Sequence, residues 1–261
     1  MASHNIQSRI SVENREKIMI LKIDRPEKKN AITKDMYRFL SENLKAADEE
    51  ASVHAVLLTG VKDCFSSGND LNDFMAERKP GEKSEAVLFL ETVIAMKKPL
   101  IAAVSGPAVG IGMTMLLHCD LVYAAENALF HLPFVSLGLC AEGGSSYLLP
   151  RLIGHQRASE MLLLGEPIPA NTAWEYGFIN NVFREEDLFE ETLRIARKLA
   201  AQPIESVCLT KRLMKESRLR PVREIIETES RHFAERLSSM EFKEAANAFF
   251  RKKKPPASDG N

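Results

Sequence analysis

The segment PLIAAVSGPAVGIGMTMLLHC, residues 99–119, contains no Asp, Glu, Lys or Arg. A stretch of that length either crosses a bilayer or lies inside a folded core. Pro99, Gly106, Pro107, Gly110 and Gly112 punctuate it, and His118 sits near its end. That punctuation fits a buried strand, a tight turn and a buried helix better than a continuous span. No membrane-crossing segment is expected.

The flanking sequence alternates in the same way. RISVEN and KIMILKID read as two short strands joined near Glu13–Lys17, a hairpin. RPEKKNAIT follows as a turn, and Thr33 is placed to cap a helix with Met36, Phe39, Leu40, Leu44 and Ala47 on one face. HAVLLTG is a buried strand, 84–96 an amphipathic helix, LIAAVS a strand, GPAVGIG a turn and 113–118 a helix. DLVYAA and LFHLP are further strands. From about Glu142 the pattern turns helical, with Pro203 and Pro221 expected to separate the long C-terminal helices. The class is α/β, with a core over residues 1–200 and a helical region over 201–261 packing on it, and no linker between them.

Composition excludes several functions. Lys plus Arg number 35 against 36 Asp plus Glu, so no net charge recruits nucleic acid or an anionic membrane. Cys64, Cys119, Cys140 and Cys208 are too far apart for a CxxC metal or redox motif, and reduced thiols are expected. MASHNIQSRISVEN lacks the apolar run of a secretory signal, and KKKPPASDGN carries no Ser-Lys-Leu address, so a cytoplasmic location is expected. There is no GxGxxG, no GxxxxGK[ST] and no GxSxG. No metal-ligand spacing surrounds His131, which reads as a packed, hydrogen-bonded strand residue.

Three stretches carry chemistry. SSGND at 66–70 and SGPAVGIGM at 105–113 are small-residue turns that follow strands. Each could aim a backbone N–H at developing negative charge, and two converging donors make an oxyanion hole. Each could equally be a plain strand-to-helix connection. In the third, Glu142 is the one carboxylate between Leu129 and Pro150. An apolar setting would raise its pKa and make it a base near neutrality, or it could be a first-turn helix residue favoured by the dipole. The basic cluster at 251–254 is either a solvated tail or a clamp on phosphates.

Taken together, RPEKKNAIT, FSSGNDL, KPLIAAVSGPAVGIG, CDLVYAAENALFHLP, Gly143-Gly144, ASEMLLLGEPIPANTAWEYGFINNVF and FFRKKKP resemble the crotonase (enoyl-CoA hydratase/isomerase) superfamily over nearly the whole chain. The resemblance implies a crotonase-like ββα superhelix with a helical C-terminal trimerisation region, assembled as a homotrimer or hexamer. It implies an acyl-CoA thioester substrate of the kind met in fatty-acid β-oxidation, CoA arriving with the substrate and no separate cofactor or metal. By alignment the carbonyl is held by the Asn69 and Ile111 amides, while Ala31, Ser67, Gly68, Asp70, Leu71, Gly110 and Phe134 join Asn69 in lining the site.

Two departures bear on the reaction. Hydratases of the superfamily carry glutamates at positions that align here with Thr114 and Phe134. HLPFVSLGLCAEGGSSYLLPRL instead looks like the peroxisomal-type Δ3,Δ2-enoyl-CoA isomerases, whose catalytic glutamate aligns with Glu142. The implied reaction moves a 3,4 double bond to the 2,3 position. The alternatives are hydration or dienoyl-CoA isomerisation on the same scaffold, or a non-catalytic acyl-CoA-binding module.

Overall fold

The computed structural model describes residues 9–61, 63–70, 73 and 83–253, with side chains as far as residue 248. The chain opens with β1 (Ile10–Arg15) and β2 (Ile18–Ile23), paired antiparallel through a tight turn. Glu16 and Lys17 in that turn both have positive φ, 46° and 68°, the conformation that matches the twist of a two-residue hairpin. Helix α1 (Lys34–Glu49) begins where Thr33 accepts the Met36 amide at 3.3 Å, a cap worth about 1 kcal/mol. Its buried face is Met36, Tyr37, Leu40, Ser41, Leu44 and Ala47, with Phe39 half-buried at its edge.

Strand β3 (Ala55–Gly60), helix α2 (Glu85–Ala95) and β4 (Leu100–Val104) continue the alternation. β5 (Pro107–Val109) and the short helix α3 (Ile111–Thr114) follow, then β6 (Leu121–Ala125) and β7 (Leu129–His131). Next come α4 (Ser145–Ile153), α5 (His155–Ser159), β8 (Ile168–Pro169), α6 (Ala170–Glu175), β9 (Asn181–Phe183) and α7 (Leu188–Ala200). α8 (Ile204–Leu237) and α9 (Met240–Lys253) close the chain.

The strands form a six-stranded sheet in the order β1-β2-β3-β4-β6-β9, parallel except for the first pair, and a three-stranded sheet β5-β7-β8. Because both faces of the larger sheet are covered, β4 is buried along its whole length and β3 along all but its last residue. Val56 and Leu58 face a large core shared with α1 and α2; Ala55 and Leu57 face a smaller one against Leu193 and Ala196 of α7. The charge-free segment is therefore core strand and core helix. Among the described residues no helix is long and apolar enough to cross a membrane.

The structure corrects the sequence reading in three places. Pro221 does not end a helix: α8 runs through it for 34 residues. Proline forfeits one N–H and crowds the preceding turn, but the turn that follows buries Val222 and Ile226 in the main core, and packing overrides the break. GPAVGIG contains a strand as well as a turn, since β5 pairs with β7. The helical second half also holds two short strands, β8 and β9, which extend the two sheets.

α8 is tied down by buried charge. Lys211 and Lys215 reach Asp120 at 2.6 and 2.9 Å, and donate to the carbonyls of Lys98 and His118 at 2.7 and 2.9 Å. Burial alone would raise the Asp120 pKa; the two ammonium groups outweigh it and hold the carboxyl below its usual value.

Candidate active site

The first half of the site is two turns laid side by side. Ser66 pairs in parallel with Ala108, its amide donating to Pro107 O at 3.0 Å and its carbonyl accepting the Val109 amide at 2.9 Å. On the other side Ile32 pairs with Asn69: the Ile32 amide donates to Gly68 O at 2.8 Å, and the Asp70 amide donates to Ile32 O at 2.9 Å. In such a bridge the residue between the two bonded ones turns its own N–H to the opposite side. The Asn69 amide therefore points away from Ile32, towards the 109–111 turn. Gly68 is what lets the turns approach: its φ is +90°, and a Cβ there would stand 2.8 Å from Val109 O and 4.0 Å from the Ile111 amide nitrogen. Ile111 is the first residue of α3, so its N–H has no partner within the helix.

The second half is Glu142. It lies three residues before α4, so it is not a first-turn helix residue; its carbonyl accepts the Ser145 amide and hydroxyl, at 3.1 and 2.7 Å. Its carboxylate points the other way and accepts the fully buried Thr114 hydroxyl at 2.5 Å. Thr114 is three residues from Ile111 on α3, so the side chain that holds the carboxylate and the Ile111 amide belong to the same short helix. Gly143 makes the approach possible, for its φ is +66° and a Cβ would meet the Thr114 side chain at 2.8 Å. Burial pushes the Glu142 pKa up to about 7; the Thr114 hydroxyl pulls it down in part, and the negative charge of Glu229 pushes it further up. A carboxyl so placed exchanges a proton near neutral pH.

Tyr37 joins the halves. Its buried hydroxyl donates to Asn69 Oδ1 at 2.8 Å, and its pKa is raised well above 10 by burial and then by Glu142. Phe134 closes the apolar wall: its ring lies 3.8 Å from the Cβ position of Gly110 and meets Phe233 of α8 edge-on at 6.1 Å. Leu137, half-buried, packs against the same core.

The other expected site residues are placed as follows. Gly110 donates its amide to His131 O, while His131 itself bonds to Gly165 O at 2.7 Å as a packed strand residue. Ala31 is buried in the 25–32 turn, and Ser67 anchors to it through the Lys29 carbonyl. The Asp70 carboxylate is engaged by Arg25 Nη1 at 2.6 Å, which also reaches Ala31 O; it braces the turn from within. Leu71 and Lys254 lie outside the described residues, as do the side chains of 251–253. All four cysteines are free, and burial pushes Cys64 and Cys119 up to about 11 and 12, far from thiolate chemistry. Among the described residues no cluster of His, Cys, Asp or Glu is arranged to hold a metal ion.

Comparison with known proteins decides the family. The model of the enoyl-CoA hydratase/isomerase family matches residues 13–260. The chain belongs to this family. Enoyl-CoA delta isomerase 2 of Rattus norvegicus is 37% identical over 236 residues, 88% of this chain but 60% of the rat protein, so the chain spans about three fifths of that relative's length. A 4-chlorobenzoyl coenzyme A dehalogenase of Arthrobacter sp is 34% identical over 93% of this chain and 94% of its own. Among solved structures, an enoyl-CoA hydratase/isomerase from Pseudoalteromonas atlantica T6c aligns with a TM-score of 0.90 at 38% identity, covering 95% of this chain and 98% of that one. Crotonase relatives thus run different reactions on one scaffold, and the reaction has to be argued from the site.

Sequence reasoning missed Tyr37 and Glu229. Tyr37 reads as one more core position of an amphipathic helix, and Glu229 as one more carboxylate on a charged one.

Proposed function

We propose that this protein is a Δ3,Δ2-enoyl-CoA isomerase that works through one base, Glu142. The observation that carries the reading is the carboxylate itself, set among buried groups beside the α3 turn with a pKa raised to about 7. A 3-enoyl-CoA would bind with its thioester oxygen between the Asn69 and Ile111 amides. Glu142 as carboxylate removes a proton from C2, and the charge of the dienolate collects on the oxygen that the two N–H groups hold. The carboxylic acid so formed returns the proton at C4, giving the conjugated 2-enoyl-CoA. The walls of Phe134 and Leu137 keep water from competing. A module that only bound acyl-CoA would have no use for a carboxylate kept at this cost.

Hydration of 2-enoyl-CoA needs one group to activate water and another to protonate the α-carbon. Thr114 is committed as a donor to Glu142, and Phe134 is an apolar ring. Assayed side by side on one preparation, 2-enoyl-CoA hydration should run at least ~10²-fold slower than 3-enoyl-CoA isomerisation, the scale of one missing acid–base group. Equal rates would contradict the isomerase reading in favour of a hydratase.

The same reading makes the protein a homotrimer or hexamer, with 201–261 packing on neighbouring subunits as well as on its own core. Leu209, Leu213 and Met214 of α8 support it, being 46%, 63% and 69% exposed in the single chain. Sedimentation should give a trimer or a multiple of it; a monomer would remove the assembly from the account.

A further inference from the structure

Glu229 is a carboxylate buried to 6% exposure on α8, and its three hydrogen bonds among the described residues go to one turn. Its Oε2 accepts the Gly144 amide at 2.6 Å, and its Oε1 accepts the Ser146 amide and hydroxyl at 3.0 and 2.5 Å. α4 starts at Ser145 behind a glycine that has no side chain to cap it, and the orphan N–H of Ser146 is capped from 83 residues away. The helix N-terminus in turn is the only positive pole that Glu229 meets among the described contacts. The turn so gripped is the one that follows Glu142. It is also held by Ser145, whose amide and hydroxyl donate to Glu142 O, and by the carbonyl of Gly143, which accepts from His118 Nε2 at 2.8 Å. Burial lowers the His118 pKa to about 4, so this is a neutral imidazole donating one N–H.

We infer that Glu229 is the positioning residue of the base: by capping α4 it fixes the 143–146 turn and the aim of the Glu142 carboxylate, and it sets a second negative charge beside that carboxylate. The inference rests on Glu142 being the base and deepens that reading, for it makes helix α8 part of the active site. Among the described residues, the titratable and charged groups facing Glu142 are Tyr37 from α1, Cys140 on its own segment and Glu229 from α8, with His118 on the neighbouring carbonyl. No cation is among these described groups to lower the Glu142 pKa, and Glu229 works against its ionisation.

Two variants separate aim from charge. Glu229→Gln removes the charge and offers one acceptor oxygen where three donors wait. Glu229→Asp keeps the charge and shortens the reach. The ionisation of Glu142 is followed by infrared difference titration without substrate, with Glu142→Gln as the blank, and kcat and KM are measured on the same preparations. Wild type should titrate near 7. Glu229→Gln should titrate at lower pH, with the acid limb of its pH profile displaced the same way and kcat down about tenfold or more at unchanged KM. Glu229→Asp should titrate as wild type yet lose several-fold in kcat. An unmoved titration in folded Glu229→Gln would overturn the inference, as would full kcat in Glu229→Asp. If wild type does not isomerise 3-enoyl-CoA, the functional reading fails, while the titration still decides whether Glu229 governs Glu142.

Discussion

Glu142→Gln is expected to lower isomerase turnover by at least ~10³-fold while acyl-CoA affinity stays within about twofold. One positioned base is commonly worth ~10²–10⁴ in rate, and here one group handles both proton transfers, so the loss falls at the upper end. Gln keeps the shape and can still accept from Thr114, whose hydroxyl now holds Glu142. Affinity is spared because the proposed contacts to the thioester are backbone amides. Turnover within tenfold of wild type would remove Glu142 from the chemistry, and loss of binding together with turnover would make its role structural.

The same substitution should raise stability at alkaline pH. The folded-state pKa of Glu142 is raised from 4.5 to about 7, so the charged form is penalised by roughly 3 kcal/mol. The contribution of this group to folding is therefore fully present below about pH 4.5 and lost as pH rises through 7. Gln never ionises. Melting curves of wild type and Glu142→Gln should run close together at pH 4, separate between pH 4.5 and about 7, and stay apart above that, with the variant the more stable. Coincident curves at pH 8 would mean that the carboxylate carries no burial penalty.

Gly68→Val is expected to cost ~10²–10³ in turnover, the loss that follows removal of one oxyanion donor. A side chain there has to leave a φ of +90° and clear Val109 O, which its Cβ would meet at 2.8 Å, so the Asn69 amide is swung out of line with Ile111. Asn69→Ala should keep most activity, because the donor is the main chain; it loses the Tyr37 bond to Oδ1, a neutral contact of about 1 kcal/mol. Measuring kcat for the pair checks the assignment. The reverse ordering would mean that the Asn69 side chain holds the carbonyl.

Much of this was legible in the sequence because it depends on local chemistry. Thr33 caps its helix, the β1–β2 hairpin turns where expected, and the charge-free 99–119 segment is core. The candidate site draws the eye where a residue is out of place for its surroundings, as Glu142 is among apolar and small neighbours. What stayed hidden depends on distant partners. β5, β8 and β9 have three residues or fewer and show no period; only their ladder neighbours make them strands. Pro221 reads as a breaker until the burial of Val222 and Ile226 is known. Asp70 reads as a ligand residue beside the Gly68 turn, but its carboxylate meets Arg25 from 45 residues away. Glu229 is one of many acidic residues on α8, and only its contact with the 143–146 turn sets it apart.

The central claim is that a single carboxylate carries the proton from C2 to C4, and isotope transfer tests it most directly. A 3-enoyl-CoA carrying deuterium at C2 is converted in ordinary water, and the product is analysed at early turnover for deuterium at C4. Glu142, held by the buried Thr114 hydroxyl, is proposed to hand the same proton straight back, so a measurable fraction of the label should appear at C4. Label delivered to C4 equally well by Glu142→Gln, which has no base, would mean that another group carries the proton and would contradict the one-base account.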